Sequence, residues 1–175
     1  EVVTKLSLAM ASALRLPEEM RTQVRVAGLL HDIGKIGLPT ELLRKPVPLS
    51  EAEHERIKEH SVLGAMIVQE VPHLPEVVAA IRHHHERYDG EGYPQGLKGE
   101  EIPLAARILA IADAYSAMIS DRQYRKRLSD EEAIAQLREG AGKQFDPALV
   151  EVFIATLARA PEHPQPEPQP VGAVA

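Results

Sequence analysis

His31 and Asp32 stand side by side in GLLHDIGKIG, His83, His84 and His85 run together in HHHERYDGEGYP, and Asp113 lies alone in the apolar stretch LAARILAIADAYSAMI. Each places imidazole or carboxylate groups in sequence that otherwise reads as buried helix. Left unpaired inside a core, such groups are costly and need a partner. His60 lies between them in sequence, and a cluster of metal ions is the cheapest common partner. Imidazole and carboxylate ligands without sulfur suit Fe, Mn or Zn at hydrolytic centres. Closely spaced ions of this kind clamp a phosphate and activate water. The joint pattern points to a metallohydrolase.

Taken singly, each group also has a plainer reading. Asp113 sits among Leu109, Ala110, Ala112, Ala114 and Ala117, on a helix apolar nearly all round, the mark of a central core helix. A carboxylate there pairs with an arginine, caps an amide or binds a cation. His31-Asp32 ends a run of Val26, Ala27, Leu29 and Leu30. It reads as a helix-end pair near the negative pole of the dipole. Because adjacent helical residues point about 100° apart, it also reads as a pair embracing two metals, with the carboxylate bridging. His84 and His85 flank the stripe of Val77, Val78 and Ile81, so both can face the core. His83 is turned away from His85 and is expected at the rim. His54 and His73 read as surface residues. His60 is raised by the apolar VLGAMIV and Gly64 that follow it. Lys35, one turn past His31, could donate to a phosphoryl oxygen. In DRQYRKR, the residues Arg122, Arg125, Lys126 and Arg127 read either as a solvated loop or as phosphate contacts.

The elements that must position these groups read as helices. Val3, Leu6, Ala9, Met10 and Ala13 recur at helical spacing. Pro17 opens a second helix at its first turn, ending near Gly34 and Gly37. A short helix spans Thr40 to Arg44. Ser50 with Glu53 has capping-box spacing and starts a helix to about Gln69. Another runs from about Glu76 to Glu86. Asp89 to Pro103 is a glycine-rich structured loop holding Tyr93 and Leu97. An apolar helix follows over 104–119. Ser129 with Glu132 caps the next one, and Asp146-Pro147 starts the last. No strand and no repeat is evident, so the fold class is all-α. Residues 1–160 read as one domain, and the proline-rich 161–175, which carries His163, as a disordered tail.

With 175 residues the chain is long enough for a real core. It lacks Trp and has 3% aromatic residues, which implies a core of Leu, Ile, Val and Ala. It has no cysteine, which removes disulfides, thiolate zinc sites and Cys nucleophiles together. That fits a cytoplasmic protein. A net charge of −6 argues against binding a nucleic-acid polymer. No stretch is apolar enough for a membrane span.

HDIGKIG followed by HHHERYDGEGYP closely resembles the HD-GYP family of metal-dependent phosphohydrolases. LLRKPVPLSEAE, KEHSVLG, ILAIADAYSAM, SDRQYR and KQFDP resemble it too, over nearly all of residues 1–157. The resemblance implies an HD-domain helical bundle with a structured GYP loop and a centre of two or three divalent ions, iron or manganese. It implies hydrolysis of cyclic di-GMP to linear pGpG or GMP. By motif, His31, Asp32, His60, His84, His85 and Asp113 resemble the metal ligands, with Asp32 bridging and catalytic. Lys35 resembles the catalytic phosphate contact, and Tyr93, Arg122 and Arg125 resemble the substrate-holding positions. Gly92-Tyr93-Pro94 is the loop linked in the family to diguanylate cyclase (GGDEF) partners.

Two departures accompany the match. The family's ligand histidine before an R-V-T-like segment would fall just before residue 1, since Val3-Thr4 matches that segment. The chain thus resembles part of a longer regulator with an upstream receiver or sensory domain. The family also often has Asp where Ser116 stands. The intact set from residue 31 onward favours an active phosphodiesterase. The missing ligand favours a module that binds nucleotide or a partner with little turnover.

Overall fold

The computed structural model of the chain describes residues 1–45, 47–121 and 126–159. Its α-helices are α1 (Val2–Ala13), α2 (Glu18–Leu30), α3 (Thr40–Leu43), α4 (Glu51–Val68), α5 (Pro75–His83), α6 (Leu104–Met118), α7 (Asp130–Gly140) and α8 (Pro147–Leu157). Two short 3-10 turns, Ile33–Gly37 and Gly99–Glu101, join them. Among the described residues there is no strand, only an isolated bridge between Ala141 and Phe145. The fold is all-α, as the sequence requires. No helix among these residues is long and apolar enough to cross a membrane.

Helix starts follow the capping signals. Ser50 Oγ accepts the Glu53 amide at 3.3 Å, and the Glu53 carboxylate accepts the Ser50 amide at 2.8 Å. Ser129 and Glu132 repeat the arrangement at α7. Asp146 Oδ1 accepts the amides of Ala148 and Leu149, and its Oδ2 takes Arg107 Nη1 at 2.7 Å. Each cap satisfies amides that a first helical turn leaves without partners. Helix ends differ more from expectation. Pro17 sits one residue outside α2 as its N-cap, and α2 stops at Leu30, short of the two glycines. His31 and Asp32 therefore form a helix end that turns into 3-10 geometry. The helix expected to reach Glu86 ends at His83, where the chain turns into the glycine-rich loop.

α6 packs against α1, α2, α5, α7 and α8. Its Ile108, Leu109, Ile111 and Ala112 are fully buried. Tyr115 meets Phe153 edge-on at 5.0 Å and donates its hydroxyl to Asp130 at 2.8 Å. α5 in turn contacts α2, α4 and α6, so its C-terminal end meets the three segments that carry His31, His60 and Asp113. The first 3-10 turn lies hard against α4. A Cβ on Gly34 would fall 1.9 Å from the His60 carbonyl oxygen and 2.5 Å from the Gly64 amide nitrogen. Only glycine permits this approach, which sets Asp32 beside His60.

Candidate metal centre

The end of α2 supplies His31 and Asp32, α4 supplies His60, the end of α5 supplies His84 and His85, and α6 supplies Asp113. All six converge. Nε2 of His60 lies 3.4 Å from Nε2 of His84 and 3.2 Å from Nε2 of His85. The Asp32 carboxylate divides between two sides: Oδ1 is 3.6 Å from His60 Nε2, and Oδ2 is 3.6 Å from His31 Nε2. Asp113 Oδ1 closes the second side, 3.8 Å from His31 Nε2. Lys35 Nζ bonds Asp32 Oδ2 at 2.6 Å.

The backbone fixes the rings. Nδ1 of His31 bonds the Gly28 carbonyl at 2.8 Å, Nδ1 of His60 that of Ile57 at 2.7 Å, and Nδ1 of His84 that of Ile81 at 2.6 Å. A carbonyl only accepts, so each Nδ1 carries the proton and each Nε2 presents a bare lone pair. The lone pairs of His60 and His84 thus face each other across 3.4 Å with no proton to share. A cation between them removes the repulsion. Two nitrogens held about 2.1 Å from one ion at angles of about 90–110° are separated by about 3.0–3.4 Å, which the observed spacings match. His60, His84 and His85 fit a metal on this test, and their ligand atoms lie within 4.8 Å of one another. The carbonyl bonds to Nδ1 supply the outer support that metal-binding histidines use to fix their tautomer.

Burial keeps the imidazoles neutral. His60 and His84 are 2% and 1% exposed. Burial pushes His84 down to about 3, with His31 and His60 adding to the effect. It pushes His85 to about 2, helped by His84 and His60, and lowers His60 as well. Burial acts to raise Asp32, but the Lys35 hydrogen bond and the fields of His31, Lys35 and His60 outweigh it and hold the carboxyl below its usual range. Neutral imidazoles and an ionised carboxylate are the forms that bind metal.

The structure corrects some details of the sequence reading. The carboxylates are not deep in the core: Asp32 is 41% and Asp113 34% exposed, so they line the open side of a cluster whose floor is imidazole. α6 is buried on the faces that meet its neighbours, and Asp113 lies at the margin. His83 is not at the rim. It is buried, with Nδ1 3.3 Å from Glu86 Oε1. His54 and His73 are exposed, as expected. Ser116 is half-buried on α6, and its carbonyl accepts the Ser120 hydroxyl. Arg122, Arg125 and the 161–175 segment with His163 lie outside the described residues.

Tyr93 of the Gly92-Tyr93-Pro94 loop stacks on His85, ring centroids 5.0 Å apart and planes 25° from parallel. Lys58 Nζ lies over the same ring, 5.4 Å from its centroid. Burial, then Asp113, Asp32 and Glu55, raise the Tyr93 hydroxyl above its ordinary value, so it remains a donor. Beside the cluster a pocket of about 170 Å³ is lined by His84, His85, Asp113, Arg87 and Gln144, among others. Glu86, Lys58 and Gln144 lie within the motif stretches HHHERYDGEGYP, KEHSVLG and KQFDP, but sequence reading assigned none of them a role of its own. The apolar pattern gives no signal for Lys58 or Gln144. Glu86 could have been suspected, as an acid directly after three histidines.

A helical bundle with a carboxylate set between a three-histidine cluster and a fourth histidine paired with a second carboxylate defines a metal-binding domain of the His-Asp type. A family model for the HD domain matches residues 1–149. A cyclic di-GMP phosphodiesterase from Thermotoga maritima is 40% identical over 156 residues, covering 88% of this chain and 42% of the relative. A 3'3'-cGAMP-specific phosphodiesterase from Vibrio cholerae is 40% identical over 153 residues, covering 87% of this chain and 36% of the relative. Among solved structures, the HDG"Y"P protein Bd1817 from Bdellovibrio bacteriovorus superposes with a TM-score of 0.72 at 25% identity, over 90% of this chain and 50% of that one. The chain belongs to the HD-domain family, in its HD-GYP branch. It spans less than half the length of the curated relatives named here.

Proposed function

We propose that this chain is the catalytic domain of a metal-dependent phosphodiesterase that hydrolyses cyclic di-GMP to linear pGpG, to GMP, or to both. The observation that carries the reading is the facing of bare Nε2 lone pairs on His60 and His84, with the Asp32 carboxylate directed to both sides of the cluster. His60, His84, His85 and Asp32 Oδ1 would hold one ion; His31, Asp113 and Asp32 Oδ2 would hold a second. Iron or manganese, as two or three ions, suits the donor set. Bound there, such ions supply Lewis acidity toward a phosphoryl oxygen and lower the pKa of water.

The chain's own groups do the rest. The buried imidazoles stay neutral and keep their lone pairs directed inward. Lys35, held by Asp32, offers its remaining protons to a phosphoryl oxygen on the open side of the cluster. Tyr93 covers His85 and presents a neutral hydroxyl donor to the substrate. Arg122 and Arg125 hold phosphate in this reading, and their cationic forks suit the two diester groups of a cyclic dinucleotide. The reading extends to a cytoplasmic setting, an upstream receiver or sensory domain, and contact of the Gly92-Tyr93-Pro94 loop with diguanylate cyclase proteins.

The test is turnover. The chain is loaded with iron or manganese and incubated with cyclic di-GMP and, in parallel, with 3'3'-cGAMP, since relatives are named for each. Chromatography should show metal-dependent conversion of cyclic di-GMP to pGpG or GMP. Exclusive conversion of 3'3'-cGAMP would reassign the substrate. Stoichiometric metal with no hydrolysis of either would refute the enzymatic reading.

A further inference from the structure

We infer that Glu86 is a positioning residue, which holds the glycine-rich loop so that Tyr93 lies flat against His85. The Glu86 side chain is 0% exposed. Its Oε1 accepts the Gln95 amide at 2.8 Å and lies 3.3 Å from His83 Nδ1. Its Oε2 accepts the Leu97 amide at 3.1 Å. A buried carboxylate demands donors, and here they are two loop amides and one imidazole. Both oxygens are committed to N–H groups, so Glu86 acts through the loop rather than as a ligand.

The loop is also pressed onto the backbone of Glu86 itself. A Cβ on Gly92 would fall 2.5 Å from Glu86 Cα and 2.2 Å from the Arg87 nitrogen. Tyr93 lies between these two attachments, at Gly92 and at Gln95. Its amide donates to the His85 carbonyl at 3.3 Å, and its ring covers the His85 imidazole. Carboxylate, loop, tyrosine and imidazole thus form one connected chain. The buried His83 belongs to the same latch, which gives the first histidine of the HHH run a role outside the metal cluster.

The kinetic consequence rests on the phosphodiesterase reading; the latch itself does not. Glu86→Gln keeps the size but turns one acceptor into an amide donor facing another donor. The expected results are a loss of about 100-fold in kcat/KM for cyclic di-GMP, as a misplacement near 1 Å produces, with manganese stoichiometry and affinity unchanged. Hydrogen exchange at the Gln95 and Leu97 amides should accelerate. In a Tyr93→Ala background, Glu86→Gln should cause no further loss of turnover, because the tyrosine through which it acts is gone. A carboxylate that only supports the fold would give equal losses in both backgrounds, and that result overturns the proposal. So does an intact turnover in Glu86→Gln. Should the variant fail to fold, the wild-type chain still decides: Gln95 and Leu97 amides exchanging at the rate of an unstructured peptide would overturn the latch. A wild type inactive on cyclic di-GMP would instead sink the functional reading, leaving the exchange measurements to decide the latch.

Discussion

Replacing Gly34 with Ala should dismantle the metal centre without touching a ligand. The new Cβ would sit 1.9 Å from the His60 carbonyl oxygen, 2.5 Å from the Gly64 nitrogen and 2.8 Å from the His60 carbonyl carbon. All three are backbone atoms of α4, so no side chain can swing aside. Real Cβ contacts essentially never fall below 3.0 Å, so the 3-10 turn must withdraw from the helix by roughly 1 Å or more. Asp32 is two residues before Gly34 and moves with it, away from His60. Overpacking of this kind costs about 1–3 kcal/mol in stability. A displacement near 1 Å costs about 100-fold in rate. Manganese titration, thermal melting and cyclic di-GMP turnover would be measured on Gly34→Ala beside Gly37→Ala. At Gly37 a Cβ meets only the end of the Leu63 side chain, at 3.1 Å, and that variant should behave nearly as wild type. If Gly34→Ala matches Gly37→Ala in metal stoichiometry and turnover, the close approach does not set the position of Asp32.

Asp32→Ala should abolish phosphodiesterase activity and lower metal stoichiometry, because both sides of the cluster lose a donor; near-normal turnover with unchanged metal would refute the bridging role. Arg122→Ala and Arg125→Ala should each weaken cyclic di-GMP binding by roughly 10- to 150-fold, the loss of a charge-assisted contact worth about 1.5–3 kcal/mol, while leaving metal bound. A change well under tenfold in both would return that segment to the reading of a solvated loop. The metal-free chain should lose stability on acidification. His84 stays neutral in the fold to about pH 3, whereas its unfolded counterpart protonates near 6.5. The unfolded state therefore binds more protons between these values, and stability falls as pH drops through that window. The slope approaches about 1.4 kcal/mol per pH unit for each histidine held neutral. Melting curves across the window that show no such decline would contradict the burial assigned to these rings.

Much of the fold was legible because helix signals are local. A capping box spans four residues, and an apolar stripe repeats within a turn, so Ser50, Ser129 and Asp146 mark their helices without knowledge of any neighbour. Helix ends were less legible. α2 stops at Leu30, where packing of the 3-10 turn on α4 decides the conformation, and α5 stops at His83, where the loop folds back onto Glu86. For the centre itself, the types of residue and their setting in apolar sequence pointed to metal chemistry, and the six expected residues do converge. Sequence could not show how they divide. That the two oxygens of Asp32 face different histidines follows from the packing of the 3-10 turn against α4, which brings His60 to one side while His31 stays on the other, and no local pattern encodes that packing. The same holds for solvent. The apolar run around Asp113 implied a deep carboxylate, yet side-chain exposure depends on where neighbouring helices stop, and here they leave Asp113 at the edge. Glu86 is the clearest case. Three amino-acid letters next to a histidine run look like a charged helix end, and only the return of residues 92–97 over that end makes the carboxylate a buried acceptor. Residue type and helical period are thus determined by the chain alone. Which polar groups share a volume, and which are shut off from water, was decided by helix packing, because electrostatics and hydrogen bonding act through space and not along the backbone.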